Sequence, residues 1–172
     1  ESSAWMFRFY EEHLEATVLG LLQVDSQGNV NVSRRGDRIS DYVGPGGFPS
    51  IVQAAKTIIF VGGWMAGGRW EIEGDELRLV EPGRPKFVDR VDEVTFNGAR
   101  ALAQGKRVYY VTHPGVFELT ARGLELVRLM PGIDPERDVF PHTTARIHLA
   151  DELAPVAKSV VTGQGFELAM PS

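Results

Sequence analysis

Residues 43–50 of this chain read Val-Gly-Pro-Gly-Gly-Phe-Pro-Ser, and this stretch limits the possible folds more than any other. Three glycines and two prolines among eight residues cannot form the interior of a helix or a strand. The flanking segments are apolar and predict regular structure: a buried strand over 16–24, a short helix over 51–56 and a second buried strand over 57–61.

A glycine-rich turn that opens a helix after a strand is open to two interpretations. It leaves backbone N–H groups unpaired and lets a ligand approach the main chain, or it only reverses the chain sharply. The G-x-G-x-x-G and G-x-x-x-x-G-K-[S/T] spacings of nucleotide-binding loops are absent from the sequence, which excludes a Rossmann dinucleotide site and a P-loop at this turn.

The remaining segments alternate between helix and strand, so the predicted class is α/β with antiparallel hairpins added. A second glycine cluster at 62–68 follows the predicted strand 57–61; it is equally consistent with a ligand site at the strand end and with a flexible loop tip. Residues 30–33 are predicted to form the return strand of a hairpin with the strand over 16–24, and two further hairpins are predicted over 69–80 and 115–129. Other strands are predicted over 88–94, 107–111 and 145–149, and helices over 98–104, 134–140 and 151–158.

The composition excludes several classes of protein. A length of 172 residues with 43% apolar and 24% charged residues predicts one domain over 1–172, with a tail from about 160 to 172. Without cysteine there is no disulfide, no thiolate zinc site and no cysteine nucleophile, which suits a cytoplasmic protein. A net charge of −5 argues against a nucleic-acid partner, and no apolar run is long enough to span a membrane.

The aromatic N-terminal end predicts a contact with something outside this chain. Trp5, Phe9 and Leu14 fit one face of a short helix. Because aromatic surface at a chain end is costly to leave in water, we expect either a longer protein or a partner that covers it.

Side chains that could perform catalysis or bind a metal show no recognisable constellation. His13, His113, His142 and His148 lack a metal-ligand spacing, so no metal site is predicted, and no serine lies in a G-x-S-x-G context. Two basic clusters, Arg34-Arg35 with Arg38 and Arg84 with Lys86, are interpreted as solvated loops rather than as anion sites. The carboxylates Asp89, Asp92 and Glu93, which follow Arg84 and Lys86, are interpreted as a salt-bridged surface, and Glu118 and Glu125 as a solvent face. Asn29 and Asn31 are interpreted as residues that fix a hairpin.

Several segments in this order and spacing resemble the second half of the family I CoA-transferases, of the propionate/acetate and 3-oxoacid type. The resemblance runs from about residue 5 to about residue 153, and each segment is weak alone. They are Leu19-Gly20 through Asn29-Val30-Asn31-Val32-Ser33, Gly44-Pro45-Gly46-Gly47-Phe48, residues 56–61 with Ala66-Gly67-Gly68, Tyr110-Val111-Thr112 with residues 115–119, and Pro131-Gly132-Ile133-Asp134.

The resemblance implies a fold and a chemistry. The fold is a mixed, largely parallel sheet flanked by helices, the C-terminal lobe of a NagB/RpiA/CoA-transferase-like protein. The reaction moves CoA between an acyl-CoA and a short-chain or 3-oxo carboxylic acid through a covalent glutamyl-CoA thioester, with coenzyme A as substrate and no permanently bound cofactor. The final glycine of the turn, here Gly47, supplies a backbone donor to the oxyanion, and Gly44, Gly46 and Phe48 complete the predicted CoA-binding residues.

One departure from the family concerns the nucleophile. The family's Glu-x-Gly motif lies several tens of residues upstream of the glycine turn. In this chain that position falls before Glu1, and none of Glu1, Glu11, Glu12 and Glu15 stands in such a motif. We therefore expect an N-terminal part of the same enzyme as a partner, an inactive segment on its own, and a homo-oligomer. An acyl-CoA hydrolase on the same scaffold and a non-catalytic assembly module remain alternatives.

Overall fold

A computed structural model describes residues 3–167 of the chain. The α-helices are α1 Ser3–His13, α2 Phe48–Ala54, α3 Gly98–Ala103 and α4 Lys158–Thr162. Short 3₁₀ helices lie at Ile39–Asp41 and Phe140–His142, and a π-helical turn at Pro135–Val139 lies within the helix predicted over 134–140. The strands are β1 Ala16–Gly20, β2 Gln23–Asp25, β3 Val30–Asn31, β4 Thr57–Val61, β5 Met65–Ala66, β6 Arg69–Glu73, β7 Glu76–Glu81, β8 Arg84–Pro85, β9 Phe87–Val88, β10 Arg107–Val111, β11 Gly115–Thr120, β12 Gly123–Leu129 and β13 Ile147–Pro155. Within residues 3–167 no helix has the length and apolar character that a membrane crossing requires.

Six of the strands form one mixed sheet in the order β1-β4-β10-β11-β12-β13. β4 pairs in parallel with both β1 and β10, with Thr57 opposite Ala16 on one side and Arg107 on the other. β11 runs antiparallel to β10 and β12, and β13 returns parallel to β12. Three of the five pairings are parallel, so the predicted mixed, largely parallel α/β sheet is confirmed.

The core lies on one face of this sheet. Alternate residues of the central strands are fully buried, which is the period of two expected of strands with one covered face. Phe60 of β4 stacks on Tyr110 of β10 at 5.5 Å between ring centroids, and Phe48 of α2 lies 6.1 Å from Phe60. Helix α2 therefore packs its first residue onto the middle of the sheet, which fixes the glycine turn that precedes it.

The predicted buried strand over 16–24 is wrong in its length and burial. β1 ends at Gly20 and is an edge strand of this sheet, with 64% of Val18 exposed. The apolar run continues instead into β2, which forms a small second sheet with β3 and β9. Asp25 to Asn29 make the predicted turn between β2 and β3, so the hairpin is confirmed with a shorter return strand.

Local signals predict several elements correctly. The hairpins β6–β7 and β11–β12 lie where alternation predicts them. Helix α3 ends before Gly105, which adopts a left-handed φ of 70°, and Asn97 caps its first turn through a bond from the Arg100 amide at 2.8 Å. The Asp134 carboxylate accepts from the amides of the following turn, as its N-cap position predicts.

Other boundaries differ from the predictions. The predicted strand over 88–94 stops at Val88, and α2 begins three residues before the predicted helix over 51–56. The predicted helix over 151–158 is instead the second half of β13, because Arg128 and Leu129 of β12 pair with Ala154 and Pro155. The predicted tail from about 160 begins inside α4, and residues 168–172 lie outside the described part of the chain.

Candidate functional site

The glycine turn between β3 and α2 is a tight four-residue reversal over 45–48. The Phe48 amide donates to the Pro45 carbonyl at 3.1 Å, which closes the turn. Gly46 has a left-handed φ of 56°, and Gly47 has φ −77° and ψ −1°. A positive φ followed by these values is the pattern of a type II′ turn, so glycine is needed at position 46.

The remaining amides of this turn are not used by the fold. Among the described residues, none accepts a hydrogen bond from the N–H groups of Gly44, Gly46 or Gly47. Gly47 is the N-cap of α2, and its own carbonyl accepts from Ile51 at 3.0 Å. The orphan amides at the helix start are therefore available to an acceptor from outside the chain.

These amides lie beside a cleft of about 500 Å³, which we call the turn cleft. Gly44, Pro45 and Gly47 line one side of it. The rest of its lining is chiefly apolar: Leu19, Leu21, Leu22, Val32, Phe48 and Ile51. Phe48 is only 7% exposed and packs on Phe60, so its ring belongs mainly to the core. Only its small exposed part can contribute to the lining of the cleft.

A buried amide network holds the chain that leads into the turn. The side chain of Asn31 is fully buried; its carbonyl oxygen accepts from the amides of Ser33 and Arg34 at 3.0 and 2.9 Å, and its amide donates to Gln23 at 2.8 Å. Ser33 in turn accepts from the Val43 amide through its carbonyl at 2.7 Å. Asn31 thus fixes the start of the 34–43 loop, and the Ser33 carbonyl holds its end.

Asn29 has the same structural role at the other side of the hairpin. Its side-chain amide donates to the Asp25 carboxylate at 3.0 Å, and its side-chain oxygen accepts from the Gly98 amide at 3.0 Å. Both hydrogen-bonding ends of this side chain are used inside the protein. This agrees with the sequence interpretation of Asn29 as a hairpin residue.

The centre of the second glycine cluster, 62–68, is packed rather than loose. Trp64 is fully buried between Phe87 and Phe117, at 4.5 and 5.2 Å between ring centroids. The Trp64 amide donates to Nδ1 of His113 at 3.3 Å, and the His113 ring stacks on Trp70 at 5.1 Å. Burial lowers the pKa of His113, and the positive charge of Lys86 lowers it further. A loose loop is therefore excluded for the centre of this cluster, whereas Ala66 and Gly67 are exposed.

A second cleft of about 500 Å³ brings the two basic sequence clusters together, and we call it the basic cleft. Arg34 and Arg35 line it from one side, and Arg84 and Lys86 from the other. Lys86 Nζ donates to the Leu21 carbonyl at 2.8 Å, and burial lowers the pKa of this amine. The sequence interpretation as separate solvated loops misses this, because the parallel pairing of β9 with β2 joins segments about 60 residues apart.

The carboxylates singled out in the sequence have structural partners. Asp92 accepts from Gln23 at 3.0 Å and Glu93 from Ser33 at 3.1 Å. No ion pair among residues 3–167 joins them to Arg84 or Lys86, so the predicted salt-bridged surface is wrong.

The predicted solvent face at Glu118 and Glu125 is wrong for Glu125, which is 9% exposed and lies opposite His148 of the neighbouring strand β13. Its carboxylate accepts from Arg122 at 2.5 Å and from Thr120 at 3.2 Å, and these bonds lower its pKa. Within the described residues, His, Asp and Glu side chains form no group of three or more that could hold a metal ion.

The chain is similar to two CoA-transferases over most of its length. It is 36% identical over 155 residues to acetate CoA-transferase YdiF of Escherichia coli strain K12, which covers 85% of this chain and 29% of YdiF. It is 36% identical over 142 residues to caffeate CoA-transferase of Acetobacterium woodii, which covers 78% of this chain and 26% of that enzyme. The crystal structure of YdiF from Escherichia coli O157:H7 superposes on 94% of the chain with a TM-score of 0.86 and 32% identity.

This chain is a homologue of the CoA-transferases. The predicted resemblance is therefore confirmed, and the chain spans less than a third of the length of these CoA-transferases. No protein-family model matches it. The fold also resembles glutaconate CoA-transferase of Acidaminococcus fermentans and the decarboxylase AibA/AibB, both with a TM-score of 0.67; at 18% and 17% identity this concerns the fold alone.

Proposed function

We propose that this chain forms the part of a CoA-transferase that supplies the backbone oxyanion donor. The enzyme would move CoA between an acyl-CoA and a short-chain or 3-oxo carboxylic acid. The observation that carries the proposal is the unpartnered amide of Gly47 beside the turn cleft, on a chain homologous to CoA-transferases. A structure of the homologue YdiF is a thioester complex with CoA, which supports a covalent route.

The proposed chemistry begins when a glutamate carboxylate attacks the carbonyl carbon of the acyl-CoA thioester. The carbonyl oxygen becomes an oxyanion, the CoA thiolate leaves, and an acyl-glutamyl anhydride remains. The thiolate then attacks the glutamyl carbonyl, the donor acid leaves as a carboxylate, and glutamyl-CoA forms. The acceptor acid reverses both steps, which returns the glutamate and yields the new acyl-CoA.

Each of these attacks develops negative charge on a carbonyl oxygen. A fixed N–H that points at this oxygen stabilises the transition state more than the ground state, and removing one such donor reduces kcat by about 10²–10³-fold. Gly47 suits this role because its amide is fixed by the turn and by the first turn of α2, yet has no acceptor among the described residues. Gly44 has open space around its Cα, so a thioester can approach the main chain there.

The chain itself contributes main-chain donors and apolar walls to this cleft. The described lining residues of the turn cleft are glycine, proline and aliphatic or aromatic side chains. We therefore place the attacking glutamate in the remainder of a longer enzyme, which the greater length of the homologues allows. The predicted homo-oligomer stays a prediction.

The decisive experiment removes the Gly47 amide without changing its backbone angles. A φ of −77° is compatible with proline, so Gly47→Pro deletes the N–H while the Phe48–Pro45 turn bond can persist. Gly47→Ala is the matched control because it keeps the amide. In the full-length enzyme we expect kcat for acetyl-CoA and propionate exchange to fall about 10²–10³-fold in Gly47→Pro relative to Gly47→Ala.

Mass spectrometry of the same proteins after treatment with acyl-CoA completes the test. CoA attached to a glutamate supports the transferase, and equal kcat in the two variants would refute the oxyanion role of Gly47. Release of free acid without transfer to an acceptor would indicate the hydrolase instead. Absence of both a glutamyl-CoA adduct and turnover in the full-length protein would indicate a non-catalytic module.

A further inference from the structure

We propose that Lys106 is a positioning residue: it holds the C-terminal end of helix α2 and so fixes the direction of the Gly47 amide at the other end of this helix. This inference rests on the proposed function of Gly47 as oxyanion donor. Three observations carry it: the contact that Lys106 makes with α2, the cavity that lies along this helix, and the hydrogen bonds that connect its two ends.

The first observation is the contact of Lys106 with the last carbonyls of α2. Its Nζ donates to the carbonyl of Gln53 at 2.7 Å and to that of Ala55, the C-cap residue, at 2.6 Å. The last carbonyls of a helix have no donor within the helix and carry its partial negative charge, so a cation there stabilises the helix end. The Lys106 side chain is half-buried, and burial lowers the pKa of its amine. Two of its three donors are thus used inside the protein.

The second observation is a cavity of about 200 Å³ that lies between α2 and α3. Val52 and Gln53 line it from α2, Arg100 and Ala101 line it from α3, and Lys106 lines it as well. The main-chain amide of Lys106 donates to the Ala101 carbonyl at 3.1 Å, which attaches this residue to α3. Because the cavity separates the two helices here, the bonds from the Lys106 side chain are a direct link between the end of α2 and the segment after α3.

The third observation is a continuous series of hydrogen bonds from Lys106 to Gly47. The Lys106 side chain binds the carbonyl of Ala55, and the Ala55 amide donates to the Ile51 carbonyl at 3.0 Å. The Ile51 amide in turn donates to the Gly47 carbonyl at 3.0 Å. At a rise of about 1.5 Å per residue, the seven residues of α2 span about 10 Å. Lys106 therefore does not touch the reacting atoms and acts through the helix.

Loss of the Lys106 contact would let the end of α2 shift relative to the sheet. Because Phe48 at the helix start is buried against Phe60, such a shift tilts the helix about Phe48 and turns the adjacent Gly47 amide. An oxyanion donor is effective only when its N–H points at the oxygen, and a displacement of about 1 Å can reduce a rate about 10²-fold. Since the amide itself remains, we expect a smaller loss of kcat than deletion of the amide causes.

The test is a double-mutant cycle in the full-length enzyme. Lys106→Met removes the donors and the charge; it is combined with Gly47→Ala, which keeps the amide, and with Gly47→Pro, which lacks it. Beside Gly47→Ala we expect Lys106→Met to lower kcat for acetyl-CoA and propionate exchange about tenfold with KM unchanged. Beside Gly47→Pro we expect no further loss, because the group that Lys106 positions is already absent. A side chain that only stabilises the fold would have the same effect in both backgrounds.

Lys56→Met is the matched control for the loss of a cation at this end of α2. The Lys56 Nζ binds the carboxylate of Glu15 at 2.7 Å on the surface and, within the described part of the chain, no carbonyl of α2. Its kcat should stay within about twofold of the wild type, since an exposed ion pair contributes little. Lys106→Gln, whose shorter side chain reaches at most one of the two carbonyls, enters the same cycle, so the test does not depend on the folding of one variant.

The outcomes separate this inference from the proposed function. Equal losses of kcat beside Gly47→Ala and Gly47→Pro, no loss beside Gly47→Ala, a change in KM alone, or a comparable loss in Lys56→Met would each overturn the positioning role of Lys106. Equal kcat of Gly47→Ala and Gly47→Pro with Lys106 intact would refute the oxyanion role of Gly47 and this inference with it. The two kinds of failure are therefore distinguishable.

Discussion

The two glycine-rich stretches of this chain, 44–47 and 62–68, differ in how much of each is packed. In the first, a Cβ added to Gly44 or Gly46 would meet nothing within 4 Å, and the amides have no described acceptor. In the second, Trp64 is fully buried, and Gly63 lies against Met65 and His113. The first stretch leaves its main chain uncovered beside the turn cleft, whereas Gly63 and Gly68 of the second stretch let the chain pack closely on its own residues and Gly67 alone has open surroundings there.

A high density of glycine does not by itself locate a ligand site. Glycine serves two physical needs, a positive φ and close approach, and close approach can be to the protein itself or to a ligand. Gly44 meets neither need inside this chain: its φ is ordinary and its surroundings are open. A glycine without an internal reason is therefore the better indicator of a site than a glycine in a crowded loop.

The largest expected effect comes from filling space near the second stretch. A Cβ at Gly83 would overlap the Ala66 carbonyl oxygen and the Gly68 nitrogen, so the β5–β8 pair would have to separate. We expect Gly83→Ala to lower the free energy of unfolding by about 3 kcal/mol, measured by urea denaturation. Gly44→Ala, which meets no neighbour, should stay within about 0.5 kcal/mol of the wild type. Equal stability of the two variants would mean that the neighbours of Gly83 move aside without cost.

A smaller effect is expected from the backbone angle of the first stretch. Gly44 and Gly46 both have open surroundings, but only Gly46 has a left-handed φ, at 56°. Gly46→Ala should therefore lower the free energy of unfolding by about 1 kcal/mol, the strain of a left-handed alanine, relative to Gly44→Ala. Because space is the same at both positions, the difference measured by urea denaturation isolates the dihedral term. A Gly46→Ala variant as stable as Gly44→Ala would show that the turn relaxes to another type.

How much the sequence predicts depends on the range of the interactions involved. Strand β4, the hairpin β6–β7 and the helix that begins at Gly98 follow from local patterns, and the structure has them where the sequence predicts them. The segment 151–158 contains good helix formers and is predicted as a helix. Its pairing with β12, a contact between distant segments, makes residues up to Pro155 a strand instead.

The same limit applies to the candidate site. The glycine turn is identified by a resemblance that includes five consecutive residues, 44–48. The basic cleft has no local signal, because Arg35 and Arg84 meet only through the pairing of β2 with β3 and β9. The buried Glu125 is likewise paired with His148 of β13, a strand that lies more than twenty residues away and is predicted only in part. Residue types can be predicted from sequence, but convergence of distant residues requires the sheet topology.

The smallest expected effect is a pH dependence that arises in the second stretch. Burial lowers the pKa of His113 below its ordinary value of 6.5, and Nδ1 of this ring accepts from the Trp64 amide, a bond that protonation at Nδ1 would break. As the pH falls below about 6.5, the unfolded chain binds a proton at this imidazole before the folded chain does, so the free energy of unfolding decreases. His113→Gln, which stays neutral, should show a shallower decrease between about pH 7 and pH 5.5 in urea denaturation. Parallel pH profiles for the wild type and the variant would mean that His113 is solvated, and the second stretch would then be looser than its buried tryptophan indicates.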